Sequence, residues 1–239
     1  MPPAVLSTFI PLFSLLAIMF ILGFVLGNRY RHNVTRAFYL LFISYLLMTF
    51  TDFFNRFPFP EVFGQVIMHI SGSLTATNGF LFLNFIFAVV NKPRNALYYI
   101  FLASAAVAGL LCLLPFTPIA TTTGAGPEKT VIPTAAMMII ILFASLTPGI
   151  YSIGIGWHSF LHTGDLKLKK QLLILLVGIV LSSSSIITVI IILPLLFNYN
   201  GAVAFATFGI VLLAISIYYA GSRYKFLAVD IDQVQAVSE

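Results

Sequence analysis

The stretch NRYRHNVTRAFYLLFISYLLMTFTDFFNR, residues 28–56, opens with Arg29, Arg31, His32 and Arg36 and then runs apolar from residue 37 to residue 55. About 20 apolar residues in helical form cross a hydrocarbon core of ~30 Å. The segment therefore reads as a membrane-spanning helix with a cationic collar at one end. Working outward, further apolar runs of similar length cover 4–27, 66–90, 96–116, 135–160, 171–197 and 202–221. The expected fold is an all-α integral membrane protein, a bundle of seven transmembrane helices over residues 1–221. Residues 222–239 form a cytoplasmic linker or the start of a signalling helix.

Composition agrees with that pattern. The chain of 239 residues is 60% hydrophobic and 8% charged, with a mean hydropathy of +1.05, far from the composition of soluble domains. The first run has no basic leader and no small-residue cleavage site, and it is longer than a signal-peptide core, so it is expected to be retained. A single cysteine, Cys112, excludes an internal disulfide framework.

Of the twelve basic residues, ten lie in four segments on one side: NRYRHNVTR, NKPRN, LKLKK and SRYK. They are Arg29, Arg31, Arg36, Lys92, Arg94, Lys167, Lys169, Lys170, Arg223 and Lys225; only Arg56 and Lys129 lie opposite. The excess of Lys and Arg on cytoplasmic loops then predicts an outside N-terminus and a cytoplasmic C-terminus, in a multi-pass protein of the inner membrane. Among the opposite connections, TPIATTTGAGPEKTVIPT is the long flexible one, read as a lid or a disordered loop.

Polar residues inside the spans are the candidate functional groups. VIMHISGSLTATNGFLFLNF (66–85) sets Ser71, Thr75 and Asn78 on one helical face, and the sixth span brings Ser182, Ser183, Ser184 and Ser185 to a similar depth. With Asp52, Asn55 and His69 near the outer helix ends, these residues outline a cleft open to the outside and lined by helices 2, 3 and 6. Two readings stand side by side. Ser, Thr and Gly are also what close helix packing in lipid uses, with hydroxyls bonded back to their own helix, and Asp52 can simply be hydrated. In GWHSFLHTGD, His158, His162 and Asp165 at i, i+4, i+7 would offer three metal ligands from one face, with no second ligand cluster beside them. GFVLG, with Gly23 and Gly27, is a GxxxG that seats a neighbouring helix within the protomer or across a dimer. Gly154 and Gly156 near Pro148 point to a bend or a tight contact in the fifth span.

Several classes are disfavoured. All six lysines lie in connections or the tail, away from the buried last-helix position that a retinal Schiff base requires. His69 and the pair His158 and His162 fall at opposite membrane depths, which does not suit a bis-histidine haem. No phosphate-binding loop, HExxH, GxSxG or paired intramembrane carboxylate occurs, so neither an enzyme nor a cofactor is expected. The runs show no repeated halves of the transporter kind.

RYKFLAVDIDQVQAVSE continues the last span without a Gly or Pro after Gly221, and Leu227, Ile231 and Val234 recur at 4,3 spacing. That pattern suits a short coiled coil or an amphipathic end lying on the membrane. Residues 28–56, the stretch LKLKKQLLILLVGIVLSS and above all IYYAGSRYKFLAVDI resemble the N-terminal seven-transmembrane sensor region of bacterial histidine kinases and related multidomain signalling proteins. The resemblance implies sensing of a small or lipophilic signal and its transmission to a cytoplasmic effector, as a homodimer or with a partner signalling protein. Arg223, Tyr224, Leu227, Ile231 and Val234 would be the output segment, and any kinase or cyclase domain would lie beyond Glu239. The alternative is a structural or accessory subunit of a larger membrane complex, its apolar faces bound to lipids and neighbouring helices.

Overall fold

In the computed structural model the described residues are 3–27, 33–54, 61–114, 117, 120–123, 130–188 and 206–224. They contain seven helices: α1 (Pro3–Gly27), α2 (Asn33–Phe54), α3 (Glu61–Val89), α4 (Ala96–Leu113), α5 (Ala135–His162), α6 (Leu166–Ile187) and α7 (Ala206–Tyr224). Four of them are long and apolar enough to cross a membrane, namely α2, α4, α5 and the stretch Val62–Val89 of α3. Large apolar side chains cover their outer surfaces, including Leu97, Ile100, Val107 and Leu110 on α4 and Phe143 and Ile150 on α5. Such a surface suits lipid and would aggregate in water. The chain is a helical membrane protein.

The helices close into a ring in the order α1, α2, α3, α5, α6, α7 and back to α1, with α4 lying outside in the groove between α3 and α5. The core is aromatic where helices are far apart and small where they approach. Phe38, Phe42 and Phe85 are fully buried, and the Phe38 and Phe42 rings stack at 4.1 Å. Between α3, α4 and α5 the seam is instead built from Ala76, Ala108, Cys112 and Ala144, small groups that let backbones come close in a solvent with no hydrophobic drive, with Met137 of α5 filling in against Cys112.

Local chemistry moves several expected boundaries. Asp165 Oδ1 accepts from the Lys167 and Leu168 N–H groups, so α6 starts at Leu166, five residues before the apolar run, and LKLKK is its first turn rather than a connection. Cations at a helix N-terminus oppose its dipole, and the Asp165 carboxylate offsets them. At the end of α3, Asn91 takes φ 49°, its N–H donating to Ala88 O and that of Lys92 to Phe87 O, a Schellman closure around a left-handed residue. α5 passes Pro148 by widening into a π segment, Ile141–Leu146. Proline has no N–H for the carbonyl four residues back, and the wider turn takes up the mismatch.

Two expectations are corrected here. Part of the long Thr-rich connection is not irregular: Ala120–Thr123 (β1) and Thr130–Pro133 (β2) pair antiparallel, with Thr123 opposite Thr130, as β-branched Thr, Val and Ile favour. Gly23 meets nothing within 4 Å among the described residues, so it seats no described helix of the protomer and the GFVLG reading keeps its alternative across a dimer, while Gly27 ends α1. Asn55, Leu227, Ile231 and Val234, together with the expected span residues 189–197 and 202–205, lie outside the described residues, as do the side chains of Arg223 and Tyr224.

Candidate functional site

Halfway along the bundle α3 and α5 touch backbone to backbone. Gly79 sits against the Ser145 main chain in the π segment, and its N–H donates to Ser145 Oγ at 3.2 Å. A widened turn cannot fill the space a regular helix would, and beside it a cavity of about 240 Å³ opens between α2, α3, α5, α6 and α7. Its polar groups are Tyr45 on α2, Asn78 on α3, Ser145 on α5, and Ser182 and Ser183 on α6. The remaining wall is mostly apolar and includes Phe82, Ile150, Ile179 and, from α7, Ile210 and Leu213.

Asn78 is the group whose chemistry is unfinished. Its side chain bonds to the Tyr45 hydroxyl, yet its Oδ1 is buried and has no hydrogen-bond partner among the described residues. An unsatisfied buried carbonyl costs roughly 1–3 kcal/mol. A small molecule carrying one O–H or N–H donor on an apolar body would complete it, and the volume is below the ~300–1,000 Å³ of drug-sized sites. Among the described residues no charged side chain lines the cavity, and its polar groups are hydroxyls and one amide.

The structure brings together Asn78, Ser182 and Ser183 from the residues singled out by sequence, with Ser182 buried and Ser183 lining the cavity at its exposed edge. It sends the others elsewhere. Thr75 donates its hydroxyl to Ser71 O at 2.9 Å within its own helix, and Ser184 is exposed to the bundle's exterior. His69 turns toward α4, its Nδ1 lying 2.7 Å from Cys112 O. A carbonyl oxygen only accepts, so this nitrogen carries the proton. Asp52 is half-buried in the last turn of α2, and Ser71 and Ser185 are half-buried on their helices. The expected cleft of helices 2, 3 and 6 is thus a cavity to which α5 and α7 also contribute.

Tyr45, Ser145 and the α7 wall were missed by sequence reasoning. Tyr45 is one aromatic in a run of them, and only its hydroxyl at mid-span distinguishes it. Pro148 carried the signal for Ser145, since a proline inside a span displaces the turn before it.

The metal spacing is corrected by the helix end. α5 stops at His162, and Asp165 belongs to the cap of α6 rather than to a third position on the same face. His158 and His162 stack on each other at 4.2 Å, with His162 Nδ1 2.9 Å from His158 O. Among the described residues no three His, Cys, Asp or Glu side chains group to hold a metal. Comparison of the chain with family models and with characterised proteins gives no match.

Proposed function

We propose that the chain is the membrane-embedded input module of a signalling system: a small amphiphile enters the mid-bundle cavity, and the seventh helix carries the change to a cytoplasmic effector. The observation that carries this reading is the composition of one cavity. It joins an unpartnered Asn78 carbonyl to Ile210 and Leu213 of α7. A ligand bonded to Asn78 touches the helix that leads out of the bundle, and it shifts the helix arrangement by as much as it prefers one state over the other. The basic residues support an arrangement of seven spans with the N-terminus outside and the C-terminus in the cytoplasm of the inner membrane. The resemblance of IYYAGSRYKFLAVDI to sensor regions of histidine kinases supports an effector on that side, and with it a homodimer.

The test screens the full chain in detergent by thermal unfolding against short alcohols, amides and amines. A hit should raise Tm in the wild type, lose that effect in Asn78→Leu while the unliganded Tm is retained, and change the mobility of a spin label at Arg223→Cys. Stabilisation that ignores Asn78, or binding that leaves the label unchanged, defeats the reading. Recovery of the chain in a hetero-complex of fixed stoichiometry, with Asn78→Leu behaving as wild type, would favour the structural-subunit alternative.

A further inference from the structure

A second cavity, of about 620 Å³, lies where α2 begins and α3 gives way to α4. Its rim carries three cations, Arg36, Lys92 and Arg94, and three amides, Asn33, Asn84 and Asn91; no acidic side chain lines it. None of the three cations is ion-paired among the described residues, and Asp165, the acidic residue described on the same side of the bundle, is spent capping α6. We propose that this cavity is a binding site for a phosphate-bearing anion, a function separate from the mid-bundle cavity and independent of the sensor reading.

The turn that presents the cations is set before any ligand arrives. Asn91 in the left-handed conformation and the Lys92 N–H bond to Phe87 O fix the exit of α3, and Pro93 locks the next φ. Asn95 then caps α4 by accepting from the Tyr98 N–H at 3.0 Å. The Arg94 guanidinium lies 5.2 Å from the centre of the Tyr98 ring, whose hydroxyl donates to Asn84 Oδ1 at 2.7 Å, leaving the Asn84 amide N–H groups as donors. The backbone of the turn is thus ordered in advance, and an anion that binds here has the exposed Arg36 and Lys92 side chains left to order. The cavity lies at the common end of α2, α3 and α4, the level of a bilayer's headgroups, and its walls include Leu40 and Phe87 below the charged rim. A cationic rim over an apolar wall matches the phosphate and glycerol region of an anionic phospholipid, and the rim alone matches a free phosphate.

The experiment titrates the full chain in detergent with phosphatidylglycerol, with phosphatidylcholine and with inorganic phosphate, and reads the bound fraction by native mass spectrometry. Phosphatidylglycerol should bind one per chain and outcompete phosphatidylcholine. A surface cation contributes about fivefold to such binding, so the R36Q/R94Q variant should lose roughly thirtyfold. K167Q/K170Q, which removes two exposed cations outside the cavity, should change it less than twofold. Ala88→Phe, which fills the cavity without altering charge, should also abolish binding and guards against misfolding of the arginine variant. Competition by millimolar inorganic phosphate would identify the free anion as ligand, and its failure to compete would identify the headgroup. Absence of binding by both, or binding that R36Q/R94Q and Ala88→Phe leave intact, or that K167Q/K170Q weakens equally, overturns the proposal.

Discussion

The backbone contact between α3 and α5 makes Gly79→Ala a quantitative test of the bundle. An alanine Cβ at residue 79 would lie 2.6 Å from Ser145 Cα and overlap the Ser145 carbonyl oxygen. Carbon atoms prefer about 3.5–4.0 Å, so the helices must separate by about 1 Å. Overpacking of this kind costs about 1–3 kcal/mol, and the obstacle is main chain that cannot rotate away, which places this variant near about 3. Alanine returns about 1 kcal/mol of helix propensity, leaving a net loss of about 2 kcal/mol. In a chain of this size each kcal/mol shifts Tm by about 2–4 °C, so Gly79→Ala should melt about 4–8 °C lower. Gly154→Ala meets nothing within 4 Å and should gain about 2–4 °C from propensity alone. Gly109→Ala falls between them, because the obstruction at 2.9 Å is the Thr77 methyl rather than main chain, and moving it strains the Thr77 hydroxyl's bonds to Ser73 O and Leu74 O. Cys112, fully buried and the chain's one cysteine, reports the transition through a thiol-reactive dye that labels it only when the bundle opens. A Gly79→Ala protein that melts with or above Gly154→Ala would refute the described approach of α3 to α5.

Asn91→Gly should be tolerated and Asn91→Val should cost about 1–2 kcal/mol, since a β-branched residue resists the left-handed conformation; thermal unfolding of the pair distinguishes a true left-handed turn, and equal Tm values would argue against one. Asp165→Ala removes the acceptor for two N–H groups of α6 and should lose about 1 kcal/mol, with faster amide exchange confined to residues 166–169. Uniform exchange along α6 in that variant would contradict a local cap.

Much of the helical framework was legible because a span announces itself by length and oiliness, a signal that needs no knowledge of neighbours. The ends were less so. α6 begins where Asp165 can cap it and α3 ends where Asn91 can turn left-handed, and neither residue belongs to an apolar run. The pairing of Asn78 with Ser182 and Ser183 was visible as matching depth on two helices. Which hydroxyls would face inward was not, since Thr75 and Ser182 look alike in sequence and only the rotation of each helix separates a back-bonded hydroxyl from a buried one on a cavity wall. Arg36, Lys92 and Arg94 illustrate another limit: a cation read as a marker of membrane side conceals any role it has in a site, because both readings place it at the same level.

The order of helices around the ring also bears on how the protein is made. α1 and α7 are neighbours, joined by Ser14 Oγ donating to Thr207 Oγ1 at 3.4 Å in the buried interior. In the seven-span arrangement proposed above, a chain inserted as it leaves the ribosome would hold α1 in the bilayer with one flank unoccupied while five further helices are delivered. Until α7 arrives, the mid-bundle cavity lacks a wall and α1 presents Ser14 to lipid. In that arrangement α7, the last of the described helices to emerge, is a latch that closes the ring between α1 and α6.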